Sequence, residues 1–434
     1  MRATTVSSNA SIVPTKEDTK HGNYRWIICA LLFFATTINY VDRNLMSVLK
    51  QEVLIGKLGW TEANYGDVMS WFYLAYAFMM IAAGRIIDRI GIRLGFALAI
   101  VWWSLAAMGH AISGAIVAFL VWRILLGIGE AANFPASIKT VSEWFPRSER
   151  TLATGIFNSG TNIGAIATPV AVSAILALGS WRWTFIVVGS FGFIWLLFWW
   201  AIYQKPENHP RLGRAELAYI QSEPSEQVVK VPWLPLLRFR QTWAITVAKT
   251  LTDPIWWFYL GWIPGFLNRK FGVTIAGVTL PLGIIYTMAT VGSISGGLIP
   301  AFLLKRKWSL NRARKTSLLI CALLVLPVVF AALTHSAWTA VFLVGLACAA
   351  HQGWSANVFT TASDMFPKQA VGSITGIAGF GGALGGWAMG RYVGRYLDAH
   401  PYNYLPLFVT GAAIYLLAFI ILHLFAPKLE KAPI

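Results

Sequence analysis

Ser142-Glu143-Trp144-Phe145-Pro146-Arg147 and Ser363-Asp364-Met365-Phe366-Pro367-Lys368 are one phrase written twice, 221 residues apart. The register holds beyond it without a gap. Thr154-Gly155-Ile156 answers Thr375-Gly376-Ile377, and Gly160 and Gly164 answer Gly381 and Gly385. The offset is about half of the 434-residue chain, so the chain reads as two related halves. In each copy an acidic and a basic residue flank Phe-Pro where an apolar block ends. The glycines then fall on one face of the next block, where small residues let helices approach closely. Such a face serves sliding or static packing equally. Paired halves with a site between them are the design of many secondary transporters.

Working outward from the repeat, the surroundings are apolar. Hydrophobic residues make up 56% of the chain and charged residues 12%, with a mean hydropathy of +0.59. A soluble domain carries roughly 25% charged residues. A bilayer core of ~30 Å needs about 20 apolar helical residues. Blocks of that kind predict twelve spans, at 26–48, 65–85, 94–112, 115–140, 151–178, 183–203, 243–266, 279–304, 315–334, 336–360, 369–393 and 404–425. The fold expected is therefore an all-α membrane protein of two pseudo-symmetric six-helix halves, residues 26–203 and 242–425. A polar linker (204–241) joins them, with a tail at 1–25 and another at 426–434. Residues 1–24 lack the apolar core of a cleavable signal peptide, so the block from Trp26 is expected to stay as the first span.

Most of the 35 Lys and Arg fall in the tails and in alternate loops, on the side of the termini. The positive-inside rule then puts both termini in the cytoplasm, and the resemblance described below adds the inner membrane. The net charge of +17 is spread over short loops rather than gathered on a basic face, which argues against nucleic acid. Cys29, Cys321 and Cys348 lie in apolar blocks and read as small apolar residues, not a disulfide framework. No His or Cys pair has metal-ligand spacing and no nucleotide loop is present. We therefore expect no metal, no cofactor, no ATP and no enzymatic activity. A channel would need a filter loop, and a passive uniporter would leave the intramembrane carboxylates unexplained. The partners expected are a small organic anion, protons and the lipid bilayer, with the chain acting as a monomer.

Ionisable residues inside spans are costly and mark function by default. Here they are Asp42 and Arg43 in the first span, Arg123 and Glu130 in the fourth, and Lys249 and Asp253 in the seventh. Asp67 and Asp88 lie nearer span ends. Arg123 and Glu130, seven apart, share a helix face. Counting from the far ends of their helices at ~1.5 Å per residue puts Asp42 and Arg123 at similar depth, so an Asp42–Arg123 pair is predicted. Lys249 and Asp253, at i and i+4, can pair with each other. A carboxylate in a low-dielectric cavity has its charged form disfavoured, which makes Asp42 and Glu130 the candidate proton carriers. An arginine stays charged, so Arg43 is the candidate anchor for a substrate carboxylate, with Arg123 switching partners. Lys249 and Asp253 are further substrate candidates. Tyr76, Asn162, Trp257, Tyr259, Gln352 and Asn357 are candidates to receive sugar hydroxyls and ring faces.

Gly84-Arg85-Ile86-Ile87-Asp88-Arg89-Ile90-Gly91-Ile92-Arg93, between spans two and three, resembles the loop motif of the major facilitator superfamily. That resemblance implies a gate built on Gly84, Asp88, Arg89, Gly91 and Arg93. A degraded copy runs from Gly297 to Lys305-Arg306-Lys307 and lacks the aspartate. Within the superfamily, Asn39-Tyr40-Val41-Asp42-Arg43, Arg123 with Gly127-Ile128-Gly129-Glu130, and Pro135 resemble the anion:cation symporter family. The run Lys249-Thr250-Leu251-Thr252-Asp253-Pro254-Ile255-Trp256-Trp257-Phe258-Tyr259 is similar to bacterial hexuronate transporters. The resemblance implies proton-driven import of a hexuronate such as glucuronate or galacturonate, with an aldonate such as galactonate as the alternative. It also implies the same division of roles between carboxylates and arginines.

Overall fold

Long apolar runs bounded by charged or glycine-containing turns become helices, because in lipid each backbone N–H and C=O must find its partner within the segment. The computed structural model describes residues 22–177, 179–222 and 233–432, and among them no strand occurs. Twelve long helical rods run in order. In the first half they are α1 (Tyr24–Ile55), α2 (Glu62–Ile90), α3 (Ile92–Ile112), α4 (Ile116–Trp144), α5 (Arg147–Leu176) and α6 (Arg182–Ile202). In the second they are α7 (Arg240–Phe271), α8 (Thr279–Lys305), α9 (Leu310–Leu333), α10 (Ala337–Met365), α11 (Lys368–Ala399) and α12 (Leu405–Phe425). Several overrun the predicted blocks by up to two turns, since the backbone stays helical after the apolar stretch has ended. Among the described residues, nine of the rods are long and apolar enough to cross a membrane by length and composition alone. The other three are α7, α10 and α11. They are diluted by Lys249 and Asp253, by His351 and Gln352, and by the glycines of α11.

The repeat is a corner used twice. Phe145 and Phe366 are buried and end α4 and α10, and Pro146 and Pro367 stand at the N-caps of α5 and α11. Glu143 accepts from the Tyr203 hydroxyl at 3.0 Å, and its counterpart Asp364 accepts from Arg314 Nε at 2.8 Å. The glycines that follow serve packing inside each half. A β-carbon at Gly160 or Gly164 would stand 2.6 Å from the carbonyl of Phe33 or Thr37 on α1. Gly381 and Gly385 repeat the contact against Thr246, Thr250 and Pro254 of α7. So α5 lies on α1 as α11 lies on α7.

The halves meet where α2 packs on α11, α5 on α8 and α1 on α7. Gly66 of α2 and Gly390 and Gly394 of α11 make the closest crossing, with no space for a β-carbon at any of them. The ion pairs Asp67–Arg391 (3.2 Å) and Asp67–Arg395 (3.6 Å) join the halves on the face opposite the termini. On the terminal face, Asp88–Lys139 and Arg314–Asp364 each stay within one half. The predicted linker carries a short helix, Arg214–Ile220, whose Glu216 receives the backbone N–H groups of Tyr24 and Arg25 at 3.1 Å. Part of that linker (223–232), most of the N-terminal tail and the last two residues lie outside the described residues. The three cysteines are buried and free, as their apolar settings suggested.

The glycines divide into crowded and open positions, and this predicts opposite effects. Gly164→Ala should lower stability by roughly 1–3 kcal/mol through overpacking. Gly155→Ala, with nothing within 4 Å of its new methyl, should be neutral or stabilise by up to ~1 kcal/mol through helix propensity. Thermal unfolding of the detergent-solubilised chain measures both, and equal shifts would contradict the packing described.

Candidate functional site

Gly127 and Gly129 let α4 press on Phe72 of α2 and on Trp102 and Trp103 of α3. The helix then pauses at Ala131–Ala132, directly after Glu130. Glu130 is thereby held fully buried against α1, where Arg43 Nε donates to its Oε2 at 2.8 Å and Nη2 stands at ion-pair distance from the same oxygen, also 2.8 Å. Its Oε1 has no hydrogen-bond partner. The Arg43 guanidinium lies over the rings of Tyr40, Tyr76 and Phe72 at 4.7, 4.9 and 5.2 Å, and Asn39 Oδ1 accepts from Nη2 at 3.4 Å. The result is a desolvated cation with one carboxylate partner and an aromatic cage.

The predicted Asp42–Arg123 pair is not formed. Arg123 turns to the carbonyl of Arg43 at 3.0 Å and to the Met46 sulfur at 2.9 Å, with its guanidinium 5.5 Å from the Phe72 ring centroid. Similar depth was the correct inference, but facing direction was not available from depth. Both carboxylate oxygens of Asp42 are buried, with no hydrogen-bond partner among the described residues.

In the second half, Lys249 and Asp253 pair with each other at 2.8 Å, as the i, i+4 spacing predicted. Lys249 Nζ also stands 4.2 Å from the Phe359 ring centroid, and Gly382 leaves room for the Asp253 carboxylate. Because Gly265 packs on Lys50, Arg43 is level with Trp257 and Phe258. Lys249 therefore lies about two turns, ~12 Å, nearer the terminal face. At the level of Arg43, Trp257 stacks on Tyr73 of α2 with centroids 4.4 Å apart and planes at 13°, tying the halves together. Gly386 permits this, since a β-carbon there would run into the Trp257 ring.

The remaining candidates separate. Tyr76 belongs to the Arg43 cage. Asn162 is buried with its Oδ1 unpartnered, and Gln352 is half-buried. Tyr259 is buried with its hydroxyl unpartnered. Asn357 is buried, with its Oδ1 unpartnered among the described residues. It donates to the carbonyls of Gly296 and Gly353 at 2.8 Å and so ties α8 to α10. In the loop motif, Asp88 pairs with Lys139 of α4, which also donates to the Gly84 carbonyl at 2.6 Å. Arg89 is exposed, Gly91 supplies the positive φ of 84° that ends α2, and Arg93 donates to the Trp200 carbonyl at 2.7 Å. Sequence reasoning missed Phe72, Tyr73 and Phe359, which read as ordinary apolar positions, and took Tyr40 only as part of the family motif. It also missed Lys50, Glu62 and Arg269, which fall just outside the predicted spans. Among the described residues no cluster of metal-ligating side chains occurs.

A duplicated six-helix unit with a caged, ion-paired arginine between its helices defines a membrane transporter. Residues 32–390 match the Major Facilitator Superfamily, and the chain belongs to that family. It is an integral membrane transporter, not an enzyme. The chain is 30% identical over 405 residues to a hexuronate transporter of Escherichia coli (strain K12), covering 92% of this chain and 93% of that protein. It is also 30% identical to a D-galactonate transporter of E. coli O6:H1 (92% and 94% covered). A galacturonate transporter of Dickeya chrysanthemi is 30% identical (70% and 89% covered). The fold matches that of a bacterial homolog of the human lysosomal transporter Spinster. The TM-score is 0.74 at 17% identity, covering 95% of this chain and all of that one.

Removing Arg43 alone would strand a fully buried glutamate. Arg43→Ala is therefore expected to cost roughly 3–5 kcal/mol, and adding Glu130→Gln should recover most of it. A double-mutant cycle on thermal unfolding reads this coupling. Additive losses would show that the pair does not hold the site.

Proposed function

We propose that the chain is a proton-coupled symporter that imports a small sugar acid, preferably a hexuronate, by alternating access. The observation that carries this reading is the buried Arg43–Glu130 pair in its aromatic cage. A guanidinium held among rings suits a carboxylate on a sugar ring, whose apolar face can lie on Tyr40 and Tyr76 while its acid group takes the guanidinium. The relatives named for hexuronate, galacturonate and galactonate support a sugar acid. An aldonate is the second reading, because the galactonate relative matches at the same identity over the same share of the chain.

The coupling follows from charge balance. With Glu130 ionised, Arg43 is neutralised internally and has little to offer an anion. A proton on Glu130 releases the guanidinium, and a substrate carboxylate then replaces the lost charge. Loss of that proton on the opposite side restores the internal pair and displaces the substrate. Asp42 is the second proton carrier. A buried carboxylate with no partner is costly to keep charged, which suits Asp42 to carrying a proton. Arg123, on the backbone carbonyl behind Arg43, keeps a second positive charge beside the site. Lys249 and Asp253 stand along the path toward the terminal face, and the Tyr73–Trp257 stack stands across it. Under this reading both termini are cytoplasmic and the protein sits in the inner membrane, acting as a monomer.

Proteoliposomes loaded with unlabelled sugar acid separate the two halves of the claim. Glu130→Gln should retain exchange of labelled for unlabelled galacturonate while losing at least tenfold of the accumulation driven by an inward proton gradient. Accumulation at the wild-type level in this variant would remove Glu130 from proton coupling. Galactonate taken up in preference to galacturonate would favour the aldonate reading.

A further inference from the structure

Glu62, the first residue of α2, is 1% exposed although it lies at the seam between the halves. Four donors converge on its carboxylate. Lys50 Nζ (3.1 Å) and Gln51 Nε2 (3.0 Å) come from α1, where the backbone changes to π geometry. Trp262 Nε1 (3.1 Å) and Arg269 Nη2 (3.1 Å) come from α7 in the other half. Arg269 also donates to Gln51 Oε1 at 3.2 Å and to the Pro401 carbonyl at 3.1 Å. Asp398 of α11 accepts the backbone N–H groups of Glu62 and Ala63 at 2.6 and 3.0 Å. Beside this cluster Tyr404, 2% exposed, packs on Phe266 at 5.0 Å with its hydroxyl unpartnered.

Parting the halves at this face divides the donors unequally. The first half keeps Lys50, Gln51 and Glu62, an ion pair complete in itself. The second half keeps Arg269 with Trp262 and Tyr404, and has lost the one carboxylate that, among the described residues, pairs with that guanidinium. Arg391 and Arg395 lose Asp67 in the same movement. The face so exposed holds three arginines against Asp398. A guanidinium flanked by an indole N–H and a phenol is a donor set for a carboxylate. We propose that Arg269, Trp262 and Tyr404 form a second carboxylate site. Glu62 fills it while the halves are latched, and the carboxylate of an organic acid arriving at the face opposite the termini fills it once they part. Closure returns Glu62 to Arg269 and drives the acid inward toward Arg43. The proposal rests on the transporter reading above and adds to it a receiving site on one side only.

One-sidedness supplies the test. Uptake of galacturonate, galactonate and succinate is measured with the full chain in right-side-out and inside-out membrane vesicles, sorted by protease access to the N-terminal tail. Arg269→Gln should raise KM about tenfold, in line with a lost charged hydrogen bond, for substrate offered at the face opposite the termini. KM at the terminal face should stay near that of the wild type. Arg269→Lys should restore part of the loss. Trp262→Phe should show the same asymmetry at smaller size, and serves if Arg269→Gln does not fold. Equal KM changes at both faces, or none at either, would overturn the site while leaving the transport reading intact. A wild type that moves none of the three acids would overturn both.

Discussion

A charge in the hydrocarbon interior must be neutralised where it stands, and in this protein the demand centres on Arg43. Its guanidinium cannot shed its proton, and water is excluded from it by Tyr40, Phe72 and Tyr76. Much of the first half follows from that requirement. The glycines on either side of Ile128, Gly127 and Gly129, let α4 pack closely enough on its neighbours for Glu130 to reach across to α1. The pause after Glu130 fixes the direction of its carboxylate. Arg123 anchors itself on backbone and sulfur, leaving the glutamate to Arg43.

The duplication explains what is rigid and what is free. Glycine contacts repeated at an offset of 221 weld α5 to α1 and α11 to α7, so each half is a unit without slack at those crossings. Between the halves the ties differ in kind. Near the face opposite the termini they are Gly66 against Gly390 and Gly394, together with ion pairs. Away from that face they include ring contacts, Tyr73 stacked on Trp257 and Phe78 edge-on to Phe380. The ion pairs and ring contacts can be exchanged for water or ligand, and the glycine crossing of Gly66 with Gly390 and Gly394 must part with them when the halves separate.

The sequence made the architecture legible because lipid imposes a simple rule on it. Twelve blocks, the midpoint linker and the repeat all follow from length, polarity and register, and the comparison with solved structures bears out that fold. The intramembrane charges were legible for the same reason, and the i, i+4 spacing of Lys249 and Asp253 was enough to pair them. Pairing between helices was a different matter. Depth placed Asp42 level with Arg123, but the azimuth of each side chain depends on how α1 and α4 are rotated about their own axes. That rotation is set by Gly127 and Gly129, whose role appears only once α2 and α3 are in place. Of the aromatic cage only Tyr76 was singled out, because Tyr40 and Phe72 have the same signature as packing residues. Lys50, Glu62 and Arg269 were hidden because their helices continue past the apolar stretches, so buried charges looked like loop charges. Asn357, a polar residue in a span, drew a functional reading, and its amide nitrogen also holds α8 to α10.

The two glutamates at the heart of these clusters now read as instances of one device. Glu130 occupies Arg43, and Glu62 occupies Arg269. In each case a carboxylate of the first half holds a guanidinium that the proposed substrate would need. An arginine left open in a dry seam would carry the full cost of an unpaired buried charge, and one paired permanently could bind nothing. An internal carboxylate resolves the conflict, because it neutralises the cation when no ligand is present and yields when a proton or a movement weakens its hold. The two clusters differ in what releases the arginine. Arg43 and Glu130 lie in the same half, so only a change of charge parts them. Arg269 and Glu62 lie in different halves, so separation of the halves is enough. A substrate carboxylate would therefore meet a mechanically released arginine first and a proton-released arginine second, which orders capture before coupling.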